Sequence, residues 1–133
     1  MDVTEKIETK TANIWIDNEG VLHLKIKDGA KIDAQELKTI FSAYKKLGCD
    51  TNKRLQLIEG SNYFTLDRKL VDKANKERHK YIIAAATVNN SLSLLLLFRF
   101  IHKFHKLTSP IEIFRTKEAA LEWLRSFKEV EKS

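Results

Sequence analysis

Few side chains in this sequence are of the kinds that break or make bonds, so their spacing decides what chemistry is open to the chain. The single cysteine lies in the turn Gly48-Cys49-Asp50. It has no histidine beside it in sequence and none of the glycines of a nucleophile elbow, so it reads as a passive thiol. His102 and His105 stand three residues apart, a spacing that puts two ligands on one helical face. A metal needs at least one more, and the nearest acid along the chain is Glu112, so no metal site is expected. The four glycines form neither a Walker lysine loop nor a dinucleotide fingerprint. No carboxylate pair stands apart from the charged helical faces. These exclusions leave no catalytic residue, no cofactor and no enzyme.

Binding is the chemistry that remains, and it falls on the stretch from Leu92 to Lys106. On a 100° wheel Leu94, Leu96, Leu97, Phe100, Ile101 and Phe104 share one side, as a helix packed on a core requires. The opposite side carries Arg99, His102, Lys103 and Lys106 in its later turns but Leu92 and Leu95 in its first, with Phe98 at the border. A leucine pair beside a basic cluster suits an acyl chain, an anionic membrane surface or a partner subunit. The competing reading is that Leu92 and Leu95 are covered by a neighbouring loop or helix. The charge distribution points to the same region. The chain carries a formal +6, yet the stretch from Arg68 to Lys106 holds nine Lys/Arg against only Asp72 and Glu77. No acid occurs between Glu77 and Glu112, so an anionic partner would be drawn there. Nucleic acid is disfavoured, because the basic residues lack interleaved aromatics and no groove-reading motif is recognisable.

The elements that must position this stretch follow from composition and periodicity. With 133 residues, 43% of them hydrophobic, and one proline, the chain suits one globular domain with its own core. The expected limits are a flexible segment over 1–11, a single domain over 12–128 and a tail over 129–133. One cysteine allows no internal disulfide, and the acidic start is unlike a signal peptide. A cytoplasmic protein is expected, with peripheral contact at a membrane as its route to lipid. The apolar run from Leu92 to Phe98 is too short to span a bilayer.

Ala12 to Asp17 and Val21 to Lys27 read as a hairpin around Asp17-Asn18-Glu19-Gly20. In its second strand Leu22, Leu24 and Ile26 alternate with His23, Lys25 and Lys27, which predicts one buried and one solvated face. Asp33 and Glu36 form a capping-box pattern before Leu37, Ile40, Phe41, Tyr44 and Leu47, and Gly48 is placed to end that helix. A strand over Arg54 to Glu59 precedes a mostly polar helix from about Thr65 to His79, with a narrow stripe of Leu66, Leu70, Val71 and Ala74. Tyr81 to Val88 is apolar almost throughout, as a strand covered on both faces would be. A helix from about Leu92 to Lys106, a strand over Ile111 to Arg115 and a helix capped by Thr116, with Ala120, Leu121, Leu124 and Phe127 facing inward, complete the order ββαβαβαβα. The expected fold is α/β, a mixed five-strand sheet with helices on both faces.

The closing stretch Pro110-Ile-Glu-Ile-Phe-Arg-Thr-Lys-Glu-Ala-Ala-Leu-Glu-Trp-Leu124 resembles the end of SpoIIAA-like proteins of the STAS and CRAL-TRIO-like superfamily. There a phenylalanine-ended strand leads to a helix bearing an acidic-Ala-Leu-x-Trp-Leu pattern. The order of elements from Ala12 to Phe127 agrees as well. The resemblance implies that Ala119 and Ala120 let the last helix approach the sheet while Trp123 and Leu124 fill the space between. It also implies relatives with no assigned activity, together with the lipid binding of CRAL-TRIO-like domains and the partner contacts of STAS domains. Anti-sigma-factor antagonists of the superfamily carry a phosphorylated serine in an Asp-Ser-Ser-Gly type motif after the third strand. This chain reads Ile58-Glu59-Gly60-Ser61-Asn62 there, so Ser61 is the one candidate acceptor and its neighbours depart from the pattern. A serine that turns or caps the chain accounts for it more simply.

The functional expectation is therefore a non-catalytic binding module. It would take a hydrophobic small molecule or a membrane surface through the helix at 91–107, with Leu92, Leu95, Phe98, Arg99, Lys103 and Lys106 as contact residues. The alternative is a protein-interaction or homodimerising STAS-like regulatory domain.

Overall fold

A computed structural model describes residues 5–60, 65–66, 68–89 and 109–132. The strands are β1 (Ile7–Glu8), β2 (Ala12–Ile16), β3 (Leu22–Ile26), β4 (Lys31–Ile32), β5 (Arg54–Gly60), β6 (Thr65–Leu66), β7 (Ile82–Val88) and β8 (Ile111–Phe114). The helices are α1 (Ala34–Lys46), α2 (Val71–Arg78) and α3 (Lys117–Lys132), with a 3-10 turn over Arg68–Leu70 before α2. Six strands form one sheet in the order β1-β2-β3-β5-β7-β8, while β4 and β6 pair separately.

The hairpin β2-β3 is antiparallel, with Ile14 opposite Leu24. It is closed by a turn in which Gly20 takes φ +85°, a conformation that a Cβ would disfavour. From β3 onward every main-sheet neighbour is parallel: Leu24 pairs with Ile58, Leu57 with Ala86, and Thr87 with Ile113. The register of β5 on β7 shifts between Arg54 and Leu55, since Arg54 faces Ile82 but Leu55 faces Ala84. The inserted residue turns both Ile83 and Ala84 toward the same side, a β-bulge.

Two cores flank the sheet. The larger lies under α1 and joins Ile14, Leu22, Leu24, Ile40, Tyr44, Ile82 and Ile111. The smaller lies under α3, where Leu55, Leu57, Ala84, Ala86, Ala120 and Leu124 meet. Ala84, Ala86 and Ala120 are fully buried, and their small side chains let α3 come close to the sheet. Helix α1 begins where expected, because the Asp33 side chain accepts from the Glu36 N–H at 2.8 Å. The Glu36 carboxylate makes no return bond to the cap. It accepts instead from the Thr11 hydroxyl at 2.9 Å, fastening α1 to the start of β2. Gly48, at φ +83°, follows the helix and donates to Lys45 O.

The α/β class, the parallel succession after the hairpin and the helices on both faces agree with expectation, while several details differ. The sheet has six strands rather than five, because Ile7 and Glu8, expected in a flexible segment, pair with Ile14 and Asn13. Two residues carry no periodicity, so this strand had no signal. The Lys27 ammonium fixes it by donating to Glu8 and to Thr9 O, at 2.7 and 2.8 Å. The helix expected from Thr65 divides into β6, the 3-10 turn and a short α2. His23, expected on the solvated side of β3, is buried while Lys25 is exposed. Ala119 is exposed, so Ala120 alone of the alanine pair lies on the sheet. The strand expected to be covered on both faces, β7, stands fifth of six, and Ile82, Ala84, Ala85 and Ala86 are completely buried.

Candidate functional site

The segment singled out for binding, with Leu92, Leu95, Phe98, Arg99, Lys103 and Lys106, lies outside the described residues, as do Ser61, His102 and His105. What the structure does place are the two ends of that connection. At its start, the Asn89 N–H donates to Phe114 O at 2.9 Å. At its end, buried Ser109 donates its hydroxyl to Ile82 O and accepts at its own carbonyl from Arg78 Nη2 at 2.8 Å. The N–H of Ala85 donates to Pro110 O at 2.9 Å. Because β7 and β8 are parallel, the chain must return from the carboxyl end of one strand to the amino end of the other. Both ends of that return are held by buried groups.

Arg78 and Ser109 belong to a polar cluster set into the larger core, which sequence reasoning missed. Arg78, at the last turn of α2, is 7% exposed. Its Nε and Nη1 have no hydrogen-bond partner. Burial pushes its pKa down to about 10, an effect that Tyr44 opposes. Tyr44 is itself buried on α1, and its hydroxyl accepts from Gln56 Nε2 on β5 at 2.6 Å, leaving Gln56 Oε1 unpartnered. Burial raises the Tyr44 pKa, so the phenol stays neutral. The ring of Tyr44 meets Phe41 and Tyr81 edge-on, at 5.5 and 6.1 Å between centroids, and Phe41 stacks on Tyr81 at 5.7 Å. A glutamine in a short apolar strand and an arginine on a plain charged helix give no sequence signal.

A second polar group sits at the hairpin turn. Asp17 Oδ1 accepts from the N–H groups of Glu19 and Val21, at 2.8 and 3.0 Å. Its Oδ2 lies 2.7 Å from His23 Nε2. A carboxylate only accepts, so Nε2 carries the proton of this contact. His23 stacks flat on Trp15 at 4.7 Å, and Lys6 Nζ lies 4.7 Å from the Trp15 ring centroid. Burial disfavours the ionised Asp17, but the hydrogen bonds from His23, Val21 and Glu19 outweigh it and hold the carboxyl below its usual range. The bonds of this pair close the hairpin turn.

Cys49 is fully buried and unpaired, and burial raises its pKa despite the opposing Arg54, so the thiol is held in its unreactive form. Among the described residues, no three His, Cys, Asp or Glu converge as metal ligands, and no helix is long and apolar enough to cross a membrane. A shallow cleft of about 390 Å³ opens at the carboxyl ends of β3 and β5, lined by Asn13, Lys25, Lys27, Asp28, Glu59 and Gly60. Lys27 there is engaged by Glu8, and Glu59 lies 3.7 Å from Lys117.

Comparison with known proteins bears on the fold. An uncharacterised protein of the DUF3478 family from Shewanella loihica, with a SpoIIAA-like fold, superposes with a TM-score of 0.56 over 92% of this chain and 93% of its own. At 15% identity the likeness is one of architecture, and the chain has a SpoIIAA-like fold. No curated protein sequence matches significantly. A sequence profile of the domain of unknown function DUF7793 matches residues 14–128, from the middle of β2 through most of α3, and the chain belongs to that family.

Proposed function

We propose that this SpoIIAA-like domain is a non-catalytic binding module. It takes a hydrophobic small molecule, or rests on a membrane surface, through residues 91–107. The observation that carries the reading is the juxtaposition of Leu92, Leu95 and Phe98 with Arg99, Lys103 and Lys106, on a connection whose two ends are held by Asn89 and Ser109. Such an arrangement offers an amphiphile both kinds of contact. Each leucine contributes roughly 1.5 to 3 kcal/mol if fully buried on binding. Each cation near an anionic surface contributes about 1 kcal/mol, weakening with salt.

Two measurements test the proposal. Native mass spectrometry of the purified protein reads a co-purified lipid mass directly. Co-sedimentation with anionic vesicles reads surface binding, which Leu92→Asp with Leu95→Asp should remove and Lys103→Glu with Lys106→Glu should weaken chiefly at low ionic strength. A protein that holds no lipid and no vesicle, but forms a dimer which the leucine substitutions split, would instead be a homodimerising regulatory domain.

A further inference from the structure

A buried guanidinium is ordinarily matched by a carboxylate or by a full set of carbonyls, because an uncompensated charge away from water is costly. Arg78 is matched by neither. Of its three nitrogens only Nη2 has a partner, the carbonyl of Ser109, while Nε and Nη1 are sealed from solvent with none. Among the described residues its polar neighbours are neutral: the Tyr44 phenol accepts from Gln56, and the Ser109 hydroxyl donates to Ile82 O. None of these groups supplies a negative charge.

We propose that Arg78 receives the carboxylate of an amphiphilic monocarboxylate, whose apolar part lies against Phe41, Ala74 and Tyr81. Among the described residues no second cation acts on Arg78, and one positive charge balances a single negative charge. A phosphate dianion would carry excess charge into the same low-dielectric surroundings. Ala74 precedes Arg78 by one helical turn and so lies on the same face of α2, and the Tyr81 N–H donates to Arg78 O at 3.0 Å. Phe41, Ala74 and Tyr81 are each only partly buried at the border of the larger core. The inference names the headgroup chemistry of the hydrophobic ligand proposed above and rests on that reading for the ligand's amphiphilic character. It rests on none of residues 91–107 for its site.

The test titrates the full chain with octanoate, with octan-1-ol as the uncharged counterpart and inorganic phosphate as the rival anion. Calorimetry reads affinity, and NMR reads the Arg78 Nε–H resonance, assigned by its loss in Arg78→Lys. Octanoate is expected to bind and move that resonance, whereas octanol and phosphate bind at least about tenfold more weakly, as the loss of a charge-assisted hydrogen bond requires. Arg78→Met should weaken octanoate by a similar or larger factor and leave octanol unchanged, with Arg78→Lys intermediate because an ammonium lacks the planar donor array. Equal binding of octanoate and octanol, preference for phosphate, or a silent Arg78 resonance would each overturn the proposal, and the last needs no variant to fold. Vesicle binding that persists while octanoate fails would refute the role of Arg78 and leave the broader reading standing. Failure of octanoate and vesicles alike would refute both.

Discussion

The two faces of the sheet handle buried charge differently. On the α3 side, Asp17 gives His23 a carboxylate partner within one hairpin, and of this pair the ring Nδ1 of His23 stays unpartnered. On the α1 side, the Arg78 guanidinium meets one carbonyl and, among the described residues, no carboxylate, and its Nε and Nη1 are unpartnered. A charge matched within its own turn holds structure together, whereas a buried charge without such a match carries the cost of its desolvation.

The same contrast extends to packing, and the largest expected effects lie there. Leu57→Ala under α3 and Leu22→Ala under α1 should each cost about 2–5 kcal/mol of unfolding free energy. Leu57 is expected at the upper end, since three of the six other buried residues of its cluster, Ala84, Ala86 and Ala120, are alanines with little side chain to move into the vacancy. Urea titrations of both variants measure the difference, and a larger loss at Leu22 would reverse the ranking of the two faces. Next in size is Ala120→Leu. It forces three extra carbons between α3 and the sheet at a fully buried position, and should cost about 1–3 kcal/mol.

Smaller effects separate the polar groups. Asp17→Ala removes one side-chain and two backbone hydrogen bonds and should cost about 1–2 kcal/mol. Because the folded carboxyl is held below its usual range, its contribution is complete above the unfolded value of about 3.9 and is lost as pH falls through the lower folded one. Stability measured across that interval should therefore fall less steeply in Asp17→Asn than in the wild type. The smallest effect is at the start of α1, where Asp33→Ala should lower stability by about 1 kcal/mol. A loss well beyond that would mean that the Glu36–Thr11 bond depends on the cap as well.

What the sequence made legible is what repeats. The alternation in Leu22-His-Leu-Lys-Ile26, the apolar run ending at Val88 and the i, i+3, i+4 spacing of Leu37, Ile40, Phe41 and Tyr44 each required a particular element, and each formed. Contacts that occur once left no such trace. Trp15 covers His23 from an adjacent strand, so a residue patterned as solvated becomes core. Arg78 looks like any other cation in α2 until Ser109, 31 residues later, comes to lie against it. The Thr65–His79 stretch failed as one helix because Thr65 and Leu66 pair with Lys31 and Ile32, a tertiary bond that overrides weak local preference. The leucine and lysine pattern of 91–107 lies outside the described residues, and the cluster around Arg78 left no trace in the sequence, since it depends on four separate elements meeting.

In the main sheet the strands lie in the same order as they occur along the chain, β1 through β8. No later strand has to insert between two earlier ones, so each can dock on an edge already exposed by its predecessor. During synthesis the hairpin can close first, and β5, β7 and β8 can be added as they leave the ribosome, with α3 arriving last to seal the second face. The edges left once β8 has docked are β1 and β8, two and four residues long, so the finished sheet presents little open strand to its neighbours.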